Sequence, residues 1–397
     1  MKRKAFILLL IGAFLTGCTG SASSPGPPQT AQIGVILPIT GNSPINGNAE
    51  KAAVEAAVED VNAYLSRINS TTRVEVVIGD SQSMLDGESV LLDEMRDRKI
   101  TVVATGMTSE SLGILRTQIA ANGTIIINEA STSPTLSAND NIFRLVPDDT
   151  YSARVMSDLL RENGIEKVIF YYRDDQWGTA LTAELTAAFT ASGGTVADSI
   201  VYSSRAYNAD MDEKVLQLDT SVTQALVGTS TSKVAVILLA FEEGIDILKK
   251  AAAYPTLSTL KWYTGDGLGQ SNDLLKDAAA AAFARTVRLY APLIAEVNSA
   301  AYQQLKARIQ AKTGFAPYAF APVMYDAIWL AALTLAEPGS AQLKTTLLAK
   351  AGGYAAVSGP INLNAAGDRS TCAYDFWAVD FVGGTYQWIK AYSGRTR

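Results

Sequence analysis

Short, wholly apolar runs alternate with helical patterns along most of this chain. "IGVILPITG" begins as a buried strand and breaks at Pro38 and Gly41. "NAEKAAVEAAVEDVNAYL" then spaces its apolar residues along one face of a helix suited to lie on a sheet. The alternation continues with a strand at 74–80, a helix at 85–97, a strand at 100–106, a helix after Ser109 and a strand at 124–128. After "FRLVPDD" it restarts with a helix from about Tyr151, a strand at 167–172, a helix after Gln176 and a strand at 195–202. A helix near Asp212, a strand at 233–241, a helix from Gly244 and a strand at 260–267 complete the second run. Strands apolar on both faces and separated by helices predict an α/β fold built on parallel central sheets with both faces covered. Two successive runs of similar size predict two Rossmann-like lobes.

The last third reads differently. "RTVRLYAP" predicts a strand that returns the chain across the lobe boundary, followed by helices at 293–312 and 318–336. A tail of turns and strands contains "SGPINLNAAGDRS" and "AYDFWAVDFVGGTYQWIK". The expected division is 32–147 plus 290–355 for the first lobe and 148–289 plus 356–397 for the second, with several crossings forming a hinge. Open sheets of this kind bind ligands beyond the carboxyl ends of their strands, where helix N-termini present free N–H groups.

Composition narrows the chemistry. At 397 residues with 48% apolar residues, the chain is long enough for two real cores. The net charge is -6, and no run of Lys or Arg is long enough to follow a phosphate backbone, so a nucleic-acid partner is disfavoured. There is no histidine, which removes imidazole metal sites and Ser-His or Cys-His nucleophile pairs. No phosphate-binding glycine loop is visible either, so the expectation is a non-enzymatic protein without a metal or cofactor.

The first 31 residues predict a different job. A basic Lys2-Arg3-Lys4 segment precedes the apolar "AFILLLIGAFL", which has the length of a signal-peptide core and is too short to span a bilayer. Leu15-Thr16-Gly17-Cys18 resembles a bacterial lipobox, in which the cysteine is lipidated. The expectation is a signal peptide at 1–17, a membrane anchor through lipid on Cys18, and a Ser/Gly/Pro tether at 18–31. Cys372 is then a lone thiol, read as a small buried hydrophobe in a strand-like stretch.

Several strand-to-loop junctions carry more polarity than packing needs. Ser109 in "TGMTSES" ends a strand and starts a helix, where its hydroxyl and nearby N–H groups can receive a carboxylate or simply cap the helix. Ala130, Ser131 and Thr132 precede Pro134 in a small polar loop. Trp177 in "YYRDDQWG" and Phe241 in "LLAFEEG" are strand-exit aromatics, placed to cover a ligand, with a core role for Trp177 as the alternative. Asp266 stands between two glycines in "WYTGDGLGQ", where a carboxylate suits an ammonium group or stabilises an Asx-type turn.

Together these residues resemble the branched-chain amino acid binding proteins of ABC importers, with the type I periplasmic binding fold and a Leu/Ile/Val-binding-protein-like body. The resemblance rests on "IGVILPITGNSPINGNAEKAAVEAAVEDVN", the Ala-Ser-Thr-Ser-Pro loop, "DDQWG", the Gly-Asp-Gly loop, and "SGPINLNAAGD", where Leu363 replaces a common aromatic. It implies that Ser109, Ala130 and Thr132 hold a ligand α-carboxylate and that Asp266, where the family commonly has Glu, pairs with the α-ammonium. It places Trp177 and Phe241 as cleft aromatics and Asn46 where a side-chain-selecting residue stands. The function implied is capture of an amino acid or similar small polar molecule by a monomeric lipoprotein outside the cytoplasm, which delivers it to an ABC permease in the inner membrane. The alternative is a lipid-anchored envelope sensor or protein-partner regulator on the same fold.

Overall fold

The computed structural model describes residues 29–41, 44–337, 342–370 and 372–396. Cys18, the leader and most of the tether lie outside the described residues. No helix among those described is long and apolar enough to cross a membrane.

The first run of the chain forms β1 (Gln29–Leu37), α1 (Pro44–Arg67), β2 (Thr72–Asp80), α2 (Leu85–Asp97), β3 (Val102–Thr105), α3 (Ser109–Asn122), β4 (Ile125–Asn128) and β5 (Ile142–Arg144). These strands make one parallel sheet in the order β2-β1-β3-β4-β5. The second run forms α4 (Asp149–Glu162), β6 (Lys167–Arg173), α5 (Gln176–Ala191), β7 (Thr195–Tyr202), α6 (Tyr207–Ala225), β8 (Val234–Leu239), α7 (Gly244–Ala251) and β9 (Lys261–Thr264). Its sheet is also parallel, in the order β7-β6-β8-β9. Strands β3, β4 and β8 are buried along their whole length, as sheets covered on both faces require.

The last third departs from expectation at two places. The stretch 285–292 is not one strand: Arg285 and Thr286 close α9 (Ala278–Thr286), which follows α8 (Asn272–Lys276). The strand is β10 (Ala291–Ile294), so the helix expected from Leu293 starts later, as α10 (Ala300–Thr313), capped by the Ser299 hydroxyl. Leu293 and Ile294 are apolar enough to suit either element, and cross-strand pairing decides between them. Helix α11 (Ala321–Leu335) and α12 (Leu343–Ala351) follow, then β11 (Tyr374–Val382) and β12 (Thr385–Arg395). Strands β10, β11 and β12 form a small antiparallel sheet. It adjoins the second sheet, where Thr264 donates to the Tyr290 carbonyl at 2.8 Å and Tyr290 to that of Trp262 at 3.0 Å. Cys372 lies just before β11, packed between apolar neighbours, and burial pushes its thiol up to about 11.

Two cores follow from this order. Helices α1, α10 and α11 pack on the first sheet in one cluster, which also takes in Leu293, Ile294, Val357 and Ile361. The second sheet is covered by α6, α7 and α9 on one side and by α4 and α5 on the other. The chain therefore passes between the cores after β5, along 290–294, and again before β11.

One buried ion pair fastens the late segment to the first sheet. Arg144 Nε and Nη2 donate to Asp368 Oδ1 and Oδ2 at 2.6 and 2.7 Å, with both side chains almost wholly enclosed. The backbone pairs alongside: Arg144 N–H donates to Gly367 O at 3.0 Å, and Arg369 N–H to Arg144 O at 2.9 Å. Asp326 of α11 holds the start of the same segment, accepting from Tyr354 OH and from the N–H groups of Val357 and Ser358 at 2.8–3.0 Å. Removing Asp368 would strand an enclosed guanidinium, at a cost of about 3–5 kcal/mol. Asp368→Ala is expected to lose that much unfolding free energy in urea denaturation; a loss under about 1 kcal/mol would show that solvent already reaches the pair.

Candidate functional site

The carboxyl ends of both sheets face one narrow gap. Its lining brings Thr132 from the first lobe together with Asp266 from the second, with Asp149, Ser152, Phe320 and Tyr374 between them and Val146, Pro147, Leu293 and Ile294 as apolar walls. The enclosed space is about 10 Å³. That is room for one water at most, so a solute enters only with the lobes parted.

Thr132 is placed by its loop. Asn128 Oδ1 accepts from the N–H groups of Ala130 and Ser131 at 3.0 and 2.6 Å, turning the chain sharply as β4 ends. The Ser131 hydroxyl donates to Met107 O at 2.6 Å, while Arg144 Nη1 reaches Ser133 O at 2.6 Å and Ser131 O at 3.4 Å. Ala130 and Ser131 thus spend these groups inside the loop, whereas the Thr132 hydroxyl faces the gap and donates to Asp149 Oδ2 at 2.8 Å. Ser109 is close by, buried, and its hydroxyl accepts from Ser133 N–H at 3.2 Å. The cap of α3 is not Ser109 but Thr108, whose hydroxyl accepts from Ser111 N–H at 3.3 Å. Asn46 lies in the first turn of α1, part-buried.

In the second lobe Trp177, Phe241 and Asp266 converge. The Trp177 and Phe241 rings stack at 4.9 Å with 21° between their planes, and the Arg173 guanidinium lies over the Phe241 ring, 3.9 Å from its centroid. The glycines flanking Asp266 make room for these rings. A Cβ on Gly265 would come within 2.6 Å of Trp177 Cζ2, and one on Gly267 would overlap Phe241 Cδ1. Trp177 is thus both a buried packing residue and a wall of the Asp266 loop.

The electrostatics are one-sided. Burial pushes Asp149 up to about 6, partly offset by the hydroxyls of Thr132 and Ser152. Asp266 is pushed well above the usual carboxylate range, first by burial and then by the charge of Asp149, while its own and Gly267's N–H groups and Trp177 pull the other way. Two acids not anticipated as site residues stand behind them. Burial pushes Glu50 up to about 7, and Glu129 is raised well above its ordinary value by burial and by Glu50. Glu129 directly precedes the polar loop, a position that could have marked it; Glu50 lies in a helical pattern that gave no sign of burial.

The comparisons with known proteins agree with this architecture. The family model described as "Periplasmic binding protein" matches residues 30–384. An uncharacterized protein of Methanocaldococcus jannaschii is 24% identical over 406 residues, covering 94% of this chain and 93% of that protein. Among solved structures, the branched-chain amino acid transporter substrate-binding protein LivJ of Streptococcus pneumoniae, in complex with isoleucine, has a TM-score of 0.74 at 17% identity, covering 93% of this chain and 100% of that one. A solute-binding protein of an ABC transporter from R. palustris, in complex with benzoate, has a TM-score of 0.69 at 17% identity, covering 93% and 98%.

Carboxyls that hold their protons more tightly folded than unfolded make the folded state bind more protons at intermediate pH, so stability falls as pH rises through that window. The ligand-free protein is expected to lose melting temperature between about pH 4 and pH 7, the span from the ordinary values of Asp149 and Glu50 to their raised ones. Glu50→Gln should flatten the slope in scanning calorimetry. A wild-type profile that rises across this span would show these acids to be solvated.

Proposed function

The chain belongs to the periplasmic binding protein family, and from that premise we propose that it captures an amino acid or similar small polar molecule for an ABC importer. Capture is by hinge closure. The closing bodies are 32–147 with 290–355, and 148–289 with the C-terminal strands; the stretch 356–370 goes with the first, because Val357 and Ile361 pack there. The observation that carries the reading is the meeting of Thr132 and Asp266 across one gap.

The solute docks on the first lobe, where Ser109 and Thr132 offer hydroxyls for a carboxylate; Ala130, whose N–H is already given to Asn128, shapes the loop that presents them. Closure then brings up Trp177, Phe241 and Asp266, and Asp266 loses its proton to become the partner of the ammonium group. Closure is driven by the ligand's higher affinity for the closed form. Asn46, in the first turn of α1, is assigned to the side-chain end of the ligand. No step breaks a covalent bond. Lipid on Cys18 holds the body at the membrane through the 18–31 tether, near a permease to which the loaded monomer delivers.

An acidic group that pairs with a buried ammonium leaves it uncompensated when removed, at about 2–5 kcal/mol. At 1.4 kcal/mol per decade, Asp266→Ala should weaken an amino-acid ligand by about 30-fold or more in calorimetric titration. The ligand itself is sought by thermal shift of the full chain against amino acids, small amides and aromatic acids. A true ligand must raise the melting temperature as its concentration exceeds Kd. If none does, the capture reading gives way to that of an envelope regulator.

A further inference from the structure

Behind Phe320, three side chains meet without any part in the reading above. Tyr318 packs edge-on against Phe320, 5.2 Å between centroids at 66°, and donates its hydroxyl to Glu50 Oε1 at 2.8 Å. The other Glu50 oxygen and both Glu129 oxygens find no donor outside the pair, whose two carboxyls bond each other through a shared proton, although Glu50 is 2% exposed and Glu129 not at all. The two carboxyls converge at the exit of β3. A Cβ built on Gly106 would stand 2.9 Å from Glu129 Oε1 and 3.1 Å from Glu50 Oε2. The Tyr318 hydroxyl feels the charge of Asp266 as well as those of both glutamates, so the pair and the gap share one field. The other ionisable groups facing that field are Asp149 and Tyr374. The two buried arginines among the described residues are committed elsewhere, Arg144 to Asp368 and the carbonyls of Ser131 and Ser133, Arg369 to the carbonyls of Leu145, Ser358 and Pro360.

Buried carboxylates are ordinarily paired with a cation or fully hydrogen-bonded, and here the pair has no cation and only the Tyr318 hydroxyl and a shared proton for its four oxygens. We propose that Glu50 and Glu129 receive a second cationic group of the ligand, so that the captured solute is a basic amino acid with a guanidinium or ammonium side chain. This rests on the capture reading and deepens it. The α-ammonium goes to Asp266, and the side-chain cation goes to the glutamate pair, with Tyr318 orienting Glu50. A guanidinium, planar and rich in donors, can bridge two carboxylates, and an ammonium can do so with fewer bonds. An aliphatic side chain would leave the pair with no donor beyond Tyr318 and its shared proton. An aromatic acid would bring a further negative charge to a gap that already holds acids from both lobes.

The test uses the full chain in detergent, with L-arginine, L-lysine, L-leucine and benzoate as probes in thermal shift and calorimetric titration. Arginine or lysine should raise the melting temperature and bind at least about tenfold more tightly than leucine, one decade being 1.4 kcal/mol. Glu129→Gln should remove that advantage while the ligand-free protein still melts cooperatively. If leucine or benzoate binds and the basic amino acids do not, the charge assignment is wrong and solute capture stands. If Glu129→Gln keeps full arginine affinity and melts higher, the glutamates only share a proton between themselves, and the assignment fails. If no probe shifts melting, the assignment falls together with the capture reading.

Discussion

A single enclosed guanidinium joins the end of the first sheet to the loop just before it and to a segment 224 residues later. Arg144 ends the last strand of the first sheet, grips Asp368 more than two hundred residues later, and reaches the carbonyls of the Ser131–Ser133 loop. A planar fork with fixed donor directions suits this work, because it orients its acceptors as well as attracting them. The loop has no regular structure of its own, so its shape comes from Arg144 on one side and Asn128 on the other. Only with both in place does the Thr132 hydroxyl face the gap. The glycine and aspartate of "SGPINLNAAGD" are therefore parts of the site's support, although neither lines the gap.

The gap inverts the usual logic of a buried site. Asp149 and Asp266 line the gap with no basic side chain beside them, and Glu50 and Glu129 lie buried behind its Phe320 wall. Desolvation raises all of them, so the ligand-free form holds protons where a loaded form would hold a cation. Protons and ligand then compete for the same oxygens. Under the proposed assignment that competition would tie solute affinity to external pH, a coupling that a neutral, hydroxyl-lined pocket would not have.

Much of the fold was legible because strands such as β3, β4 and β8 are short buried runs rich in Val, Ile and Leu, and because proline follows β1 and glycine follows β3 and β9. The pattern marked β8 and the start of α2 without ambiguity. It failed at 285–300, where a mixed apolar run serves equally as helix end, strand or helix start, and only pairing with β11 selects β10. In the site, Asp266 and Trp177 were visible as an acid and an aromatic at strand exits, places that plain packing leaves small or apolar. Glu50 was invisible for the opposite reason. It occupies a polar position in an amphipathic helix, and its burial depends on Tyr318, brought over it by a chain segment 268 residues away. Asp149 read as part of an ordinary helix-starting "PDD"; its neighbour Asp148 is indeed the cap, and Asp149 turns inward instead.

The choice of aspartate at 266 follows from the same packing. Trp177 and Phe241 stack flat against the loop, and the absence of side chains at 265 and 267 lets the backbone settle onto the rings. The carboxyl is therefore carried to the gap by the main chain rather than by a long, mobile side chain. A short acid on a braced loop loses little conformational freedom when it meets a cation, whereas a glutamate would have to freeze one more rotatable bond. What the shorter reach gives up in distance, the second lobe recovers by closing.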